Sequence, residues 1–156
     1  MRLRTLLGFG ALTAGAALIG TLATKRSVDS GWYNRELVKP SWQPPREAFA
    51  PVWTALYALM AGSAARVYQA RPSRERSRAL KLWGTQLALN AAWSVIFFGA
   101  RRPRIAVAEM AVLLATIAAY MHQARWVDRR ATTMMAPYLG WTAFAAALNG
   151  KIARDN

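Results

Sequence analysis

Five long stretches of the chain are nearly free of charge, and the charged residues gather between them. Residues 5–24, 48–65, 82–100 and 131–150 contain no Asp, Glu, Lys, Arg or His, and residues 105–121 contain a single one, Glu109. A helix rises ~1.5 Å per residue, so about 20 residues cross a hydrocarbon core of roughly 30 Å. Four of the stretches are about that long, and the fifth reaches the length with its flanks. A helix that faces water carries a charge every turn or so on its polar side; these segments do not. A charge at mid-membrane costs about 2.5–3.5 kcal/mol on insertion scales. The pattern therefore predicts an all-α integral membrane bundle of five helices, over 4–24, 46–69, 79–99, 104–125 and 130–151.

The breaks between them carry turn chemistry: Arg71-Pro72-Ser73, Gly99 followed by Pro103, and the basic cluster 125–130. Three connections are short, so neighbouring helices should pack antiparallel. The first, 25–45, is long and holds Trp32, Tyr33, Trp42 and the prolines Pro40, Pro44 and Pro45. Disordered linkers are poor in aromatics, so this loop is expected to fold over one end of the bundle as a lid. Arg2 and Arg4 ahead of an apolar run also resemble the start of a signal peptide. The run continues through Leu22, however, and a small bundle needs the wall, so it is read as the first span of a single domain covering 1–156.

Composition changes this picture little. The net charge of +14, with a mean hydropathy only mildly positive, would suit a basic nucleic-acid-binding protein if spread evenly. Every basic cluster instead borders a predicted span, where Lys and Arg meet anionic headgroups. The lipid bilayer is the expected partner, and nucleic acid is not. Lys and Arg divide ten against ten between the two membrane faces, with Arg66 extra, so the charge rule leaves orientation open. The absence of cysteine excludes disulfides, thiolate metal sites and cysteine nucleophiles. No acid–base or nucleophile–base arrangement stands out, which argues against hydrolytic chemistry. His122, at the loop end of helix 4, reads as an interfacial residue rather than an axial haem ligand. Glu109 reads as the partner of Arg101, Arg102 or Arg104, or of the first loop.

Three helices carry stripes at helical spacing: Trp53, Tyr57, Met60 and Ala64 on helix 2; Trp83, Gln86, Asn90, Trp93 and Phe97 on helix 3; and Tyr138, Trp141, Ala145 and Leu148, with Asn149 at the edge, on helix 5. Aromatics of membrane helices usually form the interfacial belt, a reading that suits Trp32, Trp42 and Trp126. It does not suit Asn90 and Trp93, which fall near the middle of helix 3. An amide in hydrocarbon needs a partner or a cavity. Aromatic stripes on three helices favour a flat-walled apolar pocket with one or two orienting polar groups, suited to a planar aromatic ligand.

The same residues carry a family resemblance. The run Trp32-Tyr33, Leu37, Lys39-Pro40, Trp42, Pro44-Pro45, Phe49, Pro51-Val52-Trp53-Thr54, Leu56-Tyr57 and Met60 is followed by Gln86-Leu87, Leu89-Asn90, Trp93-Ser94 and Phe97-Phe98-Gly99. Helix 5 adds Pro137-Tyr138, Trp141, Phe144-Ala145 and Leu148-Asn149. In order and spacing, over about 30–149, this resembles the TspO/MBR family of tryptophan-rich sensory and translocator proteins. The resemblance implies a five-helix bundle, commonly a homodimer, that binds tetrapyrroles such as protoporphyrin IX and synthetic isoquinoline and benzodiazepine-type ligands. It implies no required cofactor; porphyrin enters as ligand. The family's pocket positions fall on Trp53, Asn90 and Trp141, with Tyr57, Phe97, Ala145 and the loop residues Tyr33 and Trp42 completing wall and lid. Animal members have a tyrosine after the Leu-Asn of helix 5, within a sterol motif; here Gly150 stands in that place, so sterol binding is not expected.

Three functions follow as expectations: a sensor or carrier for porphyrins and similar planar molecules; an enzyme of light-dependent tetrapyrrole breakdown, with Trp53 and Trp141 in electron transfer; and a scaffold acting through helix contacts. Small residues on helix 3 (Ala79, Gly84, Ala88) would allow close dimer packing.

Overall fold

The computed structural model describes residues 2–156, and among them there is no β-strand. The chain forms α1 (Leu3–Asp29), α2 (Arg46–Gln69), α3 (Arg74–Ser94), α4 (Pro103–Ala124) and α5 (Arg129–Asp155), with π-helical turns at Trp32–Glu36 and Val95–Gly99. The ends are set by local chemistry. Gly31, at φ 79°, takes the left-handed position that stops α1. The Ser73 hydroxyl caps α3 by accepting from the Arg76 amide at 3.0 Å. Pro103 opens α4, where its missing N–H costs nothing. The Asp128 carboxylate caps α5, accepting from the amides of Arg130 and Ala131 at 2.9 and 3.2 Å.

These caps shift several expected boundaries. Helix α1 runs on to Asp29, so the first connection is 30–45 rather than 25–45, and part of that is a π turn. Charged Lys25 and Arg26 are good helix formers, and nothing breaks the helix before Gly31. Helix α3 starts at Arg74 rather than 79 because its cap lies at Ser73. Helix α5 continues to Asp155, where ion pairs of Asp155 with Lys151 (2.6 Å) and Arg154 (3.6 Å) stand in its last turn.

Around the bundle α1 packs on α2, α2 on α5, α5 on α4, α4 on α3 and α3 back on α1, closing a ring. One end of the ring is solid. There the alanines Ala64, Ala65, Ala79, Ala124 and Ala131, all fully buried, let the backbones approach closely. Ser63 ties the same end together: its hydroxyl lies 2.7 Å from the Tyr120 hydroxyl and donates to the Ala131 carbonyl at 2.7 Å. Burial of Ala79 removes it from the outward face on which helix 3 was expected to dimerise; Gly84 and Ala88 do face outward.

The outside of the bundle is apolar. Leu3, Leu7, Leu12, Leu18, Ile19 and Leu22 of α1 point outward, whereas its buried residues are Thr13, Ala16, Ala23 and Ser27. Large side chains outside and small ones inside is the arrangement lipid favours, since tails are as apolar as leucine. Helices α1, α2 and α4 are long and apolar enough to cross a membrane. Glu109 makes no ion pair among the described residues, contrary to the pairing expected for it, and both carboxylate oxygens lie buried without a hydrogen-bond partner. Of the arginines expected to pair with it, Arg101 turns instead to Ser30 at the start of the first loop.

Asp128 also pairs with Arg66 at 2.8 Å, joining α2 to the α4–α5 connection. Burial raises the pKa of this carboxyl, but the hydrogen bond and charge of Arg66 and the amides of Ala131 and Arg130 outweigh burial and hold it below the ordinary aspartate value of 3.8. Its contribution is therefore complete above that value and is lost as pH falls through the depressed folded value. Asp128→Ala should destabilise the detergent-solubilised protein by about 1–2 kcal/mol at neutral pH. In melting curves from pH 7 to pH 3 the gap to wild type should hold down to about pH 4 and begin to narrow below it; a gap unchanged at the acid end would remove the ionised cap from the account.

Candidate functional site

The other end of the ring is hollow. A cavity of about 570 Å³ lies between α1, α2, α3 with its π turn, and α5, under the first loop; α4 contributes none of its lining. That volume suits a drug-sized ligand. Toward the solid end stands a polar hub: the Tyr57 hydroxyl donates to Asn90 Oδ1 at 2.7 Å, and Asn90 Nδ2 donates to the Tyr138 hydroxyl at 3.1 Å. Asn90 is 3% exposed and Tyr138 fully buried, so helices α2, α3 and α5 are locked together through one amide.

The walls are aromatic. Trp93 stacks on Phe97 at 5.5 Å and 24°, and Phe97 meets Phe98 edge-on at 4.8 Å. The π turn Val95–Gly99 carries both phenylalanines; single π turns within helices often mark functional sites. Trp53 leans on Tyr57 (5.5 Å) and Tyr138 (6.4 Å), and Trp141 on Phe49 (5.9 Å). The indole nitrogens of Trp93 and Trp141, and Asn149 Oδ1, are buried without hydrogen-bond partners among the described residues, and all three side chains line the cavity. Buried polar groups are normally paired; these two donors and one acceptor are closed even to the cavity that their side chains line. The Asn149 amide is aimed by donation to the Pro103 carbonyl at 3.2 Å.

Of the residues singled out in the sequence, Trp53, Tyr57, Asn90, Phe97, Trp141, Ala145 and Tyr33 line this one cavity. Trp42 does not. It lies half-exposed outside and packs edge-on against Phe144, which in turn leans on Trp141. Trp32, in the π turn of the first connection, is buried edge-on against Phe97. Met60 and Ala64, on the stripe of Trp53, belong to the solid core, as does Trp83, whose Nε1 donates to the Met60 carbonyl at 3.1 Å. His122 is exposed and lines no part of the cavity.

Sequence reasoning gave α1 no part in the site, yet Gly20, Thr21, Thr24, Lys25 and Asp29 line it. Gly20 was the available signal. A Cβ there would stand 3.0 Å from Ser94 Oγ, so glycine permits the close approach of α1 to α3. Over the mouth, Lys39 Nζ donates to the Tyr33 carbonyl at 2.5 Å and sits 4.6 Å above its ring. Burial raises the Tyr33 hydroxyl pKa, against the nearby Gln43 side chain and the Arg46 charge, which lower it. Arg101 donates to the Ser30 hydroxyl at 2.9 Å from a left-handed backbone, φ 55°, a conformation that costs a non-glycine residue about 1–2 kcal/mol. The Asn156 side chain pairs with both backbone groups of Val38, at 3.0 and 3.1 Å.

An all-helical membrane protein with a roofed aromatic cavity at one end of its bundle is the class these features define. The TspO/MBR family model matches residues 9–154, and the chain belongs to that family. It is similar to the translocator protein of Ovis aries, with 36% identity over 151 residues covering 96% of this chain and 88% of that one. It is also similar to the tryptophan-rich sensory protein of Cereibacter sphaeroides (39% over 125 residues; 80% and 77% covered) and to the tryptophan-rich protein TspO of Chlorobaculum tepidum (36% over 128 residues; 81% of each).

Proposed function

We propose that all five helices cross the bilayer and that the cavity between them is the ligand site of a membrane sensor or carrier for porphyrins and similar planar apolar molecules. Helices α3 and α5 are less apolar than the others because charged turns open both and close α5, and because of Gln86, Asn90, Thr142 and Asn149. Each of these is 0–3% exposed, so the polarity faces inward and the charge-free stretches 82–100 and 131–150 remain to meet lipid. The observation that carries the ligand reading is the aromatic-walled cavity itself, about 570 Å³, with the Asn90 amide among its lining residues. Flat rings offer stacking surface to a planar ligand. The names of the relatives, translocator and sensory proteins, agree with a receptor or transport role, for which no bound cofactor is needed. A homodimer through the outward Gly84 and Ala88 of α3 is part of the same proposal.

The test is a titration of protoporphyrin IX into detergent-purified protein in the dark, followed by tryptophan fluorescence. Saturable quenching is expected, weakened roughly three- to tenfold in Trp53→Phe and Trp141→Phe, as the loss of about 1 kcal/mol of stacking implies. Quenching that never saturates and is identical in all variants would mean partition into the micelle and would end the pocket assignment. An illuminated repeat addresses the enzymatic alternative: pigment loss that vanishes in the tryptophan variants would favour turnover over simple binding.

A further inference from the structure

One seam of the cavity wall is unlike the others, and we propose that the ligand enters and leaves there, sideways from the bilayer, through a slit between the loop-side halves of α1 and α2. The inference rests on the cavity being the ligand site proposed above. Six of the residues that line it are exposed: Thr21, Lys25 and Asp29 of α1, and Arg46, Ala50 and Thr54 of α2. The lining residues of α3, its π turn and α5 are all buried or half-buried.

The other seams are joined by contacts. Gly20 brings α1 against Ser94 at the end of α3. Phe49 and Trp53 of α2 meet Trp141 and Tyr138 of α5 at 5.9 and 6.4 Å between rings. Asn90 of α3 donates to Tyr138 of α5 at 3.1 Å. Between residues 17–29 of α1 and 46–57 of α2 there is no hydrogen bond, ion pair or aromatic contact among the described residues. The same two helices are tied at the solid end. There Phe9 meets Tyr68 at 5.8 Å, and the Arg2 amide donates to Gln69 Oε1 at 2.8 Å.

The rim of the slit suits lipid. Thr21 and Thr54 stand a little over two turns, about 12 Å, from the loop ends of their helices, within the charge-free stretches 5–24 and 48–65. That is deeper than a headgroup layer of about 5–8 Å. Each rim threonine donates its hydroxyl to its own helix: Thr21 to the Ala17 carbonyl at 2.8 Å, Thr24 to Gly20 at 2.9 Å, and Thr54 to Ala50 at 2.8 Å. Hydroxyls satisfied in this way need no water. Small Ala17, Gly20 and Ala50 complete the rim, whereas α1 presents Leu18, Ile19 and Leu22 to the lipid beside it. A planar apolar molecule dissolved in the bilayer therefore meets an opening with no free donor and little side chain to displace. A route under the loop would instead have to part Lys39 from Tyr33 and Asn156 from Val38.

The experiment follows protoporphyrin IX binding by stopped-flow tryptophan quenching in the dark, with the protein in phosphatidylcholine nanodiscs. The chain has no cysteine, so Val38→Cys/Asn156→Cys allows a single disulfide that fixes the loop to the end of α5. The oxidised and reduced forms should bind at the same rate, because the loop is not the way in. Ala50→Phe/Thr54→Phe, which narrows the slit, should lower association and dissociation rates each roughly tenfold, so that affinity moves much less than either. Leu22→Phe, on the lipid face of α1, should leave both rates as in wild type. Binding slowed by the disulfide and restored by reduction, or wild-type rates in the rim variant, would overturn the slit and leave the pocket standing. Should the rim variant not fold, the disulfide alone decides between the two routes. Wild-type quenching that never saturates would overturn the pocket reading, and this inference with it.

Discussion

Asn90→Ala should weaken protoporphyrin IX binding by roughly tenfold or more and lower stability by about 1–3 kcal/mol, the cost of leaving buried polar groups unpaired. The reason is the position of the amide between two phenols. It accepts from Tyr57 at 2.7 Å and donates to Tyr138 at 3.1 Å. The loss leaves the fully buried Tyr138 hydroxyl on α5 without its Asn90 donor, and the Tyr57 hydroxyl on α2, at the cavity wall, without its acceptor. Affinity falls because Tyr57 supports Trp53, and a loosened Tyr57 loosens that wall. Tyr138→Phe alone should cost less, and the double variant Asn90→Ala/Tyr138→Phe should cost less than the sum, since the two share one bond. Melting temperature and porphyrin affinity measured on the same preparations check both parts. Wild-type values for Asn90→Ala in both would show that the hub does not hold the site.

Trp83→Ala should be the most destabilising single change, by about 3 kcal/mol or more, as expected for deleting a large buried aromatic. Trp83 is 3% exposed, meets Phe9 of α1 edge-on at 5.0 Å, and donates to the Met60 carbonyl of α2. Three helices thus meet on one indole. The loss is one of packing and a hydrogen bond rather than of transfer from water, because helices in lipid have no hydrophobic drive to associate. Trp83→Phe should recover most of the packing but not the hydrogen bond. Thermal unfolding in detergent should order the proteins wild type, Trp83→Phe, Trp83→Ala; equal melting of wild type and Trp83→Ala would contradict the shared-core role. Porphyrin affinity per folded molecule should change little, since Trp83 lies outside the cavity lining.

These two tryptophan roles show the limit of periodicity. Trp83 and Trp93 lie on one stripe of α3, and a stripe specifies the side of a helix that faces its neighbours. Whether that side is packed or open at a given depth depends on what the other helices bring there. At Trp83 the ring of helices is closed by buried alanines; at Trp93, two to three turns on, α1 and α5 leave a gap. The same division separates Met60 and Ala64 from Trp53 and Tyr57 on α2.

The sequence by itself determined the membrane character, the all-α class and the approximate helix positions. Those follow from a local requirement: a segment in hydrocarbon must be apolar along its length and must satisfy its own backbone. It also identified the aromatic part of the cavity wall on α2, α3 and α5, because aromatics and amides at helical spacing point to a shared inward face in mid-membrane. Only the tertiary structure decided that Trp42 stands behind Phe144 instead of in the wall, that Trp32 is buried, and that Glu109 lacks an arginine partner. It alone brought α1 to the cavity through Gly20 and Ser94. Such facts depend on distances between segments far apart in the chain, and those distances come from how five helices share a limited volume.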